Sequence, residues 1–210
     1  MPRRKTFNEA EARIIAEAQA LFIQKGYTET SMREIAAAAQ INRPALHYHF
    51  RTKDRMFRAV FGATLQKLAP QVLSIVMNQD ESIGHRTERV VDTYYDLFRQ
   101  WPDLPLFVVR EINRDADFLL LTLRSLHTRA GFGSIVKSLQ QEMDEGRIRK
   151  VPLRMVFLTF YSLLTFPFLT RGLSMRILRE ENESFDDILN EWKPNITRQM
   201  QHLLSLDPTG

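Results

Sequence analysis

Apolar side chains recur at helical spacing along nearly the whole chain, and no run alternates with the period of two that is typical of a β-strand. Gly26 follows the first such pattern, at a place where glycine can end a helix in a left-handed conformation. The pattern predicts an all-α fold of about nine helices. In the first predicted helix the recurring positions are Ile14, Ala18, Leu21 and Phe22.

Polar residues mark the starts of the first four predicted helices, because their side chains can cap the free amides of a helix N-terminus. Glu11 and Glu34 each stand three residues after a cap, as in a capping box. Pro44 lies in a first turn, where its missing N–H is harmless. Two short helices joined by about three residues, with a third beside them, form a helix-turn-helix. The capping residues are Asn8, Ser31, Asn42 and Thr52.

Longer helices are predicted for the rest of the chain, which favours a larger helical bundle after the first three helices. Gly131 and Gly133 are positions where one of them can bend, and Pro167 and Pro194 interrupt the last two. The fourth helix is expected to reach about Pro70, and the later ones to span about 85–100, 106–114, 116–145, 153–179 and 184–206.

Charge is distributed unevenly along the sequence. Residues 1–70 contain 12 Lys and Arg against 6 Asp and Glu, whereas residues 71–210 contain 17 against 19. A basic end on a near-neutral body is typical of a phosphate-binding module. The chain has no cysteine, which excludes disulfides and thiol chemistry, and it shows neither a signal peptide nor a long uncharged stretch. We expect a cytoplasmic protein without a membrane segment.

The second helix of the helix-turn-helix carries candidate DNA-reading side chains on one face. Leu46 and Phe50 are four residues apart and should point inward, which leaves Arg43, His47 and Tyr48 outside. Arg43 could bind guanine in bidentate fashion, and His47 and Tyr48 could contact bases or phosphates. Arg3, Arg4 and Lys5 form a basic arm for the minor groove or backbone. The full predicted DNA-binding set is Thr30, Ser31, Arg33, Asn42, Arg43, Pro44, Ala45, His47, Tyr48, His49 and Lys53.

Several motifs at fixed spacing carry a resemblance to a known family. They are Gly26-Tyr27-Thr28-Glu29-Thr30-Ser31, Ile35-Ala36 and Leu46-His47-Tyr48-His49-Phe50-Arg51-Thr52-Lys53. Residues 14–61 closely resemble the DNA-binding domain of the tetracycline-repressor (TetR) family. The resemblance implies a homodimer with a DNA-binding domain over residues 1–53 and a ligand-binding and dimerisation domain over residues 54–210.

Three positions depart from the family pattern. Gln40 stands in the turn where the family usually has glycine, and a left-handed glutamine would cost about 1–2 kcal/mol. His47 replaces a tyrosine that commonly contacts phosphate. Asn42-Arg43-Pro44 replaces the more usual Ser-x-Gly or Ser-x-Pro, which keeps a cap and adds a candidate base reader.

The C-terminal part is rich in aromatic residues, which either pack in a core or line a cavity for a small apolar or aromatic ligand. Tyr94, Tyr95 and Trp101 are the better cavity candidates because each has a polar tip. Glu111 and Arg114 could relay ligand binding or form a surface pair. The apolar segment 153–164 should pack on a partner subunit together with the last helix. The predicted ligand-binding set is Phe61, Tyr94, Tyr95, Phe98, Trp101, Phe107, Glu111, Phe118 and Tyr161.

The sequence favours a transcription repressor released from a near-palindromic operator by a small-molecule ligand. The alternative keeps the fold but places it under the control of a protein partner. An enzyme is not expected, because Glu111 and Asp115 have no accompanying nucleophile or metal motif. We expect neither a cofactor nor a metal, since His47 and His49 diverge on a helix.

Overall fold

The computed structural model describes residues 9–118, 121 and 132–206, apart from the side chains of Leu65 and Phe132. All regular elements in these ranges are helical, which confirms the predicted fold class. The predicted cap Asn8, the arm 3–5 and the predicted bend at Gly131 lie outside the described residues. The helices are α1 (Glu9–Glu29), α2 (Met32–Ala38), α3 (Arg43–His49), α4 (Lys53–Val76), α5 (Ile83–Gln100), α6 (Leu104–Arg114), α7 (Phe132–Asp144), α8 (Leu153–Leu169) and α9 (Phe185–Leu204).

Caps and breaks in the first four helices follow the sequence signals. Gly26 has φ +83° and interrupts α1, as its position predicted. Asn42 Oδ1 accepts a hydrogen bond from the Ala45 amide at 2.8 Å, and Thr52 Oγ1 accepts one from the Arg55 amide at 3.2 Å. Local hydrogen bonds therefore fix where α3 and α4 begin.

Some helix bounds differ from the sequence prediction. α4 continues through Pro70 to Val76, and α9 continues through Pro194. α5 begins at Ile83 because Ser82 Oγ caps the His85 amide at 3.2 Å. α8 ends at Leu169 instead of running to residue 179, and a helical turn (Arg171–Leu173) and a π-helical turn (Ser174–Leu178) follow it.

The chain divides into two compact units. The first contains the described part of Met1–Lys67 and Leu106–His127, and its core is aromatic: the Phe57 ring lies 5.4 Å from that of Phe22 and 5.9 Å from that of Phe107. Because α4 supplies Phe57 to this core, the first unit extends past the predicted domain boundary at residue 53. Whether the DNA-binding domain ends at residue 53 stays a prediction.

The second unit contains the described part of Leu68–Pro105 and Thr128–Gly210. Val72 and Ile75 of α4 pack with Val90 of α5 in its core. Tyr95 and Phe98 of α5 pack against Phe168 of α8, with ring centroids 5.6 and 4.9 Å away. This core joins helices that are far apart in sequence.

Two apolar stretches have the length and composition of a membrane span. The first is α4, which has a mean hydropathy of 1.2. The second is α8 together with the two turns after it, and this stretch bends by 53°. Core helices of soluble proteins also reach such values. Met56, Phe57 and Val60 of α4 are buried in the first unit, and Val72 and Ile75 of α4 are buried in the second.

Candidate nucleic-acid interface and cavity

The start of α2 is fixed by a complete capping box. Ser31 Oγ accepts a hydrogen bond from the Glu34 amide at 3.2 Å, and the Ser31 amide donates to Glu34 Oε2 at 2.9 Å. Lys25 Nζ donates to Glu34 Oε1 at 2.7 Å. These bonds, from Lys25 first and then from Ser31, lower the pKa of Glu34 to about 2. The carboxylate that holds this helix end therefore stays charged at neutral pH.

The turn between α2 and α3 has left-handed backbone at Gln40, with φ +53°. The Ile41 amide donates to the Ala36 carbonyl at 3.0 Å, and the Gln40 amide donates to the Ala37 carbonyl at 3.1 Å. This pair of bonds is a Schellman motif, whose left-handed position usually holds glycine. Gln40 is thus strained at the place where the family usually has glycine.

α3 presents a polar face to solvent above an apolar anchor. Leu46 is fully buried and Phe50 is buried, as predicted, whereas Arg43 is exposed and Tyr48 is 86% exposed. His47 is half-buried, and its Nδ1 lies 3.3 Å from the Arg51 carbonyl oxygen. Arg43 and Tyr48 are thus available to a ligand, while the anchor holds the backbone beneath them in place.

Other predicted contact residues around α3 also lie on the surface. Four of them are exposed, and Ala45 is half-buried. Two of the four use their side chains as helix caps, so their free polar groups are fewer than the sequence suggests. The exposed four are Ser31, Arg33, Asn42 and Pro44.

Three predicted contact residues are engaged inside the first unit. Thr30 is 1% exposed, and its hydroxyl donates to the Gly26 carbonyl at 2.8 Å. His49 Nδ1 lies 3.2 Å from Glu11 Oε1. Lys53 Nζ donates to the Thr28 carbonyl at 3.0 Å, and burial lowers the pKa of this amine. The Thr30 side chain is therefore a structural support, because its hydroxyl is enclosed and already bonded.

Glu111 of α6 supports this region from 84 positions away in sequence. It is 2% exposed; its Oε1 accepts the Tyr27 amide at 2.9 Å, and its Oε2 accepts Arg114 Nε at 2.7 Å. The Arg114 guanidinium also lies 4.2 Å from the centre of the Tyr27 ring. The carboxylate thus satisfies the amide that follows the left-handed Gly26. Sequence spacing gave no signal for this contact.

Tyr27 also contacts the start of α4. Its hydroxyl donates to Asp54, and Lys53 Nζ lies 4.4 Å from the centre of its ring. Burial, followed by the hydrogen bond to Asp54, raises the pKa of Tyr27 to about 12. Tyr27 therefore connects α1 with both α4 and α6.

The second unit contains an apolar cavity of about 80 Å³. Tyr94 and Tyr161 line it, as the sequence suggested, and their hydroxyl oxygens lie 2.9 Å apart. Arg86 and Thr87, which were not predicted, supply the other polar groups of the wall. Apolar wall residues include Val72, Val90, Ile135, Leu139, Val156 and Met200.

The other predicted ligand residues lie elsewhere in the two units. Tyr95 and Phe98 are core residues of the second unit, and Trp101 follows the last turn of α5. Phe61, Phe107 and Phe118 each lie within 6.4 Å of another aromatic ring of the first unit, and Glu111 supports Tyr27. For these seven residues, a role in ligand binding stays a prediction.

Comparison with known proteins places the helix-turn-helix in a family. Residues 14–60 match the model of the family described as bacterial regulatory proteins, tetR family. A relative from Bacillus subtilis (strain 168), the uncharacterized HTH-type transcriptional regulator YuxN, is 33% identical over 72 residues. This match spans 34% of the chain and 25% of the relative. The sequence similarity is thus concentrated in a short part of both proteins.

Solved structures extend the similarity to most of the chain. The TetR family regulator PfmR from Thermus thermophilus matches with a TM-score of 0.61 at 19% identity, over 93% of this chain and 99% of that chain. The fatty acid degradation regulator FadR from Bacillus halodurans matches with a TM-score of 0.63 at 14% identity, over 89% and 97% of the two chains. Residues 14–60 thus carry the helix-turn-helix of the tetR family of bacterial regulatory proteins, and the described chain has the fold of regulators of this family.

Proposed function

We propose that the chain is a dimeric, cytoplasmic transcription repressor that a small-molecule ligand releases from a near-palindromic operator. The observation that carries the proposal is the exposed face of α3, where Arg43 and Tyr48 stand above the buried Leu46. A short anchored helix with a polar outer face suits the major groove. The proposal includes no enzymatic activity: the chain acts by binding DNA and its ligand.

Charge around α3 supports binding to DNA. Residues 30–53 contain four Lys and Arg residues and a single acidic residue, Glu34. Because Glu34 pairs with Lys25, its charge is locally compensated. Arg33, Arg43 and Arg51 are exposed and can approach phosphates or base edges. The face is therefore electrostatically suited to nucleic acid.

Exposed apolar side chains support a dimer. Leu158 and Phe166 of α8 are 65% and 62% exposed, and Ile177 in the turn after it is 68% exposed. Side chains of this kind grouped along one segment mark protein interfaces. We propose a two-fold dimer through α8 and α9; to enter successive major grooves, its two copies of α3 must lie about 34–36 Å apart.

The cavity of the second unit supports response to a ligand. It is mostly apolar and has a few polar groups in its wall, which is the usual composition of a small-molecule site. Ligand binding would favour a conformation in which the two copies of α3 no longer fit the operator. A cavity of about 80 Å³ is, however, well below the roughly 300–1,000 Å³ of ordinary ligand sites. That volume favours control by a protein partner as a second candidate.

DNA selection from a random pool, followed by gel shifts at fixed salt, tests the DNA-binding part. We expect a specific site at nanomolar to micromolar protein. Arg43→Ala should weaken binding by about 1–3 kcal/mol and relax the preference at one base position. Arg13→Ala removes the same charge from an exposed position on α1 and is the matched control. Absence of any specific site would refute the proposal.

Light scattering of the purified chain tests the dimer, with Leu158→Glu as the disrupting variant. We expect a dimer for the wild type and a monomer with weak operator binding for the variant. Native mass spectrometry separates the two modes of control: a retained small molecule supports the ligand-released repressor, and a stoichiometric protein partner supports the alternative.

A further inference from the structure

Polar groups in the wall of the cavity are few, and most already have hydrogen-bond partners. The Thr87 hydroxyl donates to the Ile83 carbonyl at 2.7 Å, and Tyr94 and Tyr161 share one hydrogen bond between their hydroxyls. These groups offer little to a ligand held deep in the cavity.

Arg86 is different, because its five N–H donors are not all used. It is 3% exposed and lines the cavity. Nη1 donates to the Val76 carbonyl at 2.6 Å and to Glu142 Oε1 at 2.8 Å, and Nη2 donates to Glu142 Oε2 at 2.6 Å. Nε is buried and has no hydrogen-bond partner. A buried N–H without a partner destabilises a protein until an acceptor reaches it.

The charge of Arg86 is already neutralised. Glu142 is 2% exposed and binds the guanidinium in bidentate geometry, so the pair carries no net charge. Burial raises the pKa values of both Tyr94 and Tyr161, so their hydroxyls are uncharged at neutral pH. Arg86 is the only charged residue among the described residues that line the cavity, and Glu142 neutralises it, so an anion placed there would lose its hydration without gaining an unpaired cation.

We propose that the cavity takes an uncharged, mainly aliphatic or aromatic molecule with one hydrogen-bond acceptor, and that Arg86 Nε donates to this acceptor. This ligand class rests on the proposed ligand response. At about 80 Å³, the cavity receives a group of a few heavy atoms in the present conformation, and larger ligands require its wall to move apart. A carbonyl, amide, ether or alcohol oxygen satisfies the requirement, whereas a carboxylate does not.

Three probes of equal size and shape separate the contributions of charge and of the acceptor. Butanamide carries an uncharged amide oxygen as acceptor, and butanoate carries a charged carboxylate in its place. 2-Methylpentane has the same skeleton of heavy atoms without polar atoms. Methyl NMR of the full chain locates binding through the signals of Val72, Val90 and Leu139, which line the cavity. Once the affinities of the two uncharged probes are corrected for their free energies of transfer from water into an apolar solvent, we expect butanamide to bind about tenfold more tightly than 2-methylpentane, and butanoate to bind most weakly of the three.

The double variant Arg86→Met/Glu142→Met tests the role of Nε. A single substitution would leave an unpaired buried charge and destabilise the fold, whereas replacing both partners with apolar side chains avoids this. The double variant should bind 2-methylpentane and lose the preference for butanamide. Val76→Phe, which adds bulk to the cavity wall, is expected to abolish binding of all three probes.

Tightest binding of butanoate, equal binding of all probes, or an unchanged preference in the double variant would overturn the proposal. Equal binding is the result expected if a buried water satisfies Nε. Gel shifts of the same preparation measure operator binding, so that failure of the ligand class can be told apart from failure of the proposed regulatory function. A chain that binds its operator but prefers butanoate retains the regulatory function and loses this ligand class. A chain that prefers butanamide but binds no DNA retains this ligand class and loses the regulatory function.

Discussion

Glu111 and Glu142 are two buried carboxylates that lie in different units and act differently. Both are 2% exposed, and each is bonded to an arginine. Glu111 divides its oxygens between the Tyr27 amide and Arg114, whose side chain is 27% exposed. Glu142 gives both oxygens to Arg86, whose side chain is 4% exposed. One carboxylate therefore supports a backbone break beside the DNA-binding helices, and the other balances a charge in a cavity wall.

The largest effect is expected where the arginine has no access to water. Glu142→Met leaves the Arg86 guanidinium buried without a counter-charge, which should lower the free energy of unfolding by about 3–5 kcal/mol. Urea denaturation of Glu142→Met, of Arg86→Met and of the double variant Arg86→Met/Glu142→Met measures this. Arg86→Met/Glu142→Met should recover most of the loss. A single variant within about 1 kcal/mol of the wild type would show that water reaches the pair.

A smaller loss is expected for the carboxylate of the first unit. Glu111→Ala should cost about 2–3 kcal/mol, because the Tyr27 amide loses its acceptor while Arg114 can turn to solvent. Glu111→Gln retains one oxygen for that amide and should fall between alanine and the wild type. Urea denaturation measures both variants. If glutamine proved as costly as alanine, the ion pair with Arg114 would outweigh the backbone hydrogen bond.

Contacts between neighbouring positions could be predicted from sequence. The caps at Ser31, Asn42 and Thr52 join residues three positions apart, and the break at Gly26 depends on a single glycine. In each case the chemistry of the residue restricts the local backbone. The helix-turn-helix and the inward side of α3 followed from such signals.

Contacts across long stretches of chain could not be predicted. Arg86 and Glu142 are 56 positions apart, and Tyr27 and Glu111 are 84 positions apart. The sequence contains many arginines and glutamates, and nothing local tells which of them meet. Residue type similarly led to expecting Thr30 at the DNA surface, although packing encloses it. The cavity wall depends on such pairings, and so it was predicted in only two of its residues.

The turn between α2 and α3, which contains no buried charge, serves as a comparison for the two buried carboxylates. Gln40→Gly should raise the free energy of unfolding by about 0.5–1 kcal/mol, because the relief of left-handed strain exceeds the added entropy of the unfolded chain. Thermal unfolding measures the gain. Gln40→Ala is the control, since alanine keeps the strain and should bring no gain. Equal stability of the glycine and alanine variants would contradict the strain at this turn.

The smallest effect is expected for an exposed carboxylate, Glu34, which contrasts with both buried ones. Its pKa in the folded chain is about 2, against an ordinary value of 4.5, chiefly because Lys25 and then Ser31 donate hydrogen bonds to it. A lowered pKa means that the charged form stabilises the fold above pH 4.5, and that this stabilisation is lost as the pH falls towards 2.

Compared with Glu34→Gln, the wild type should therefore be more stable at neutral pH, and the difference in the free energy of unfolding should shrink steadily between pH 4.5 and pH 2. Because the side chain is 39% exposed, added salt should reduce the difference as well. Urea denaturation of both proteins between pH 7 and pH 2 measures it. A difference that does not change with pH would mean that the carboxylate acts by its shape as a helix cap and that its charge contributes nothing.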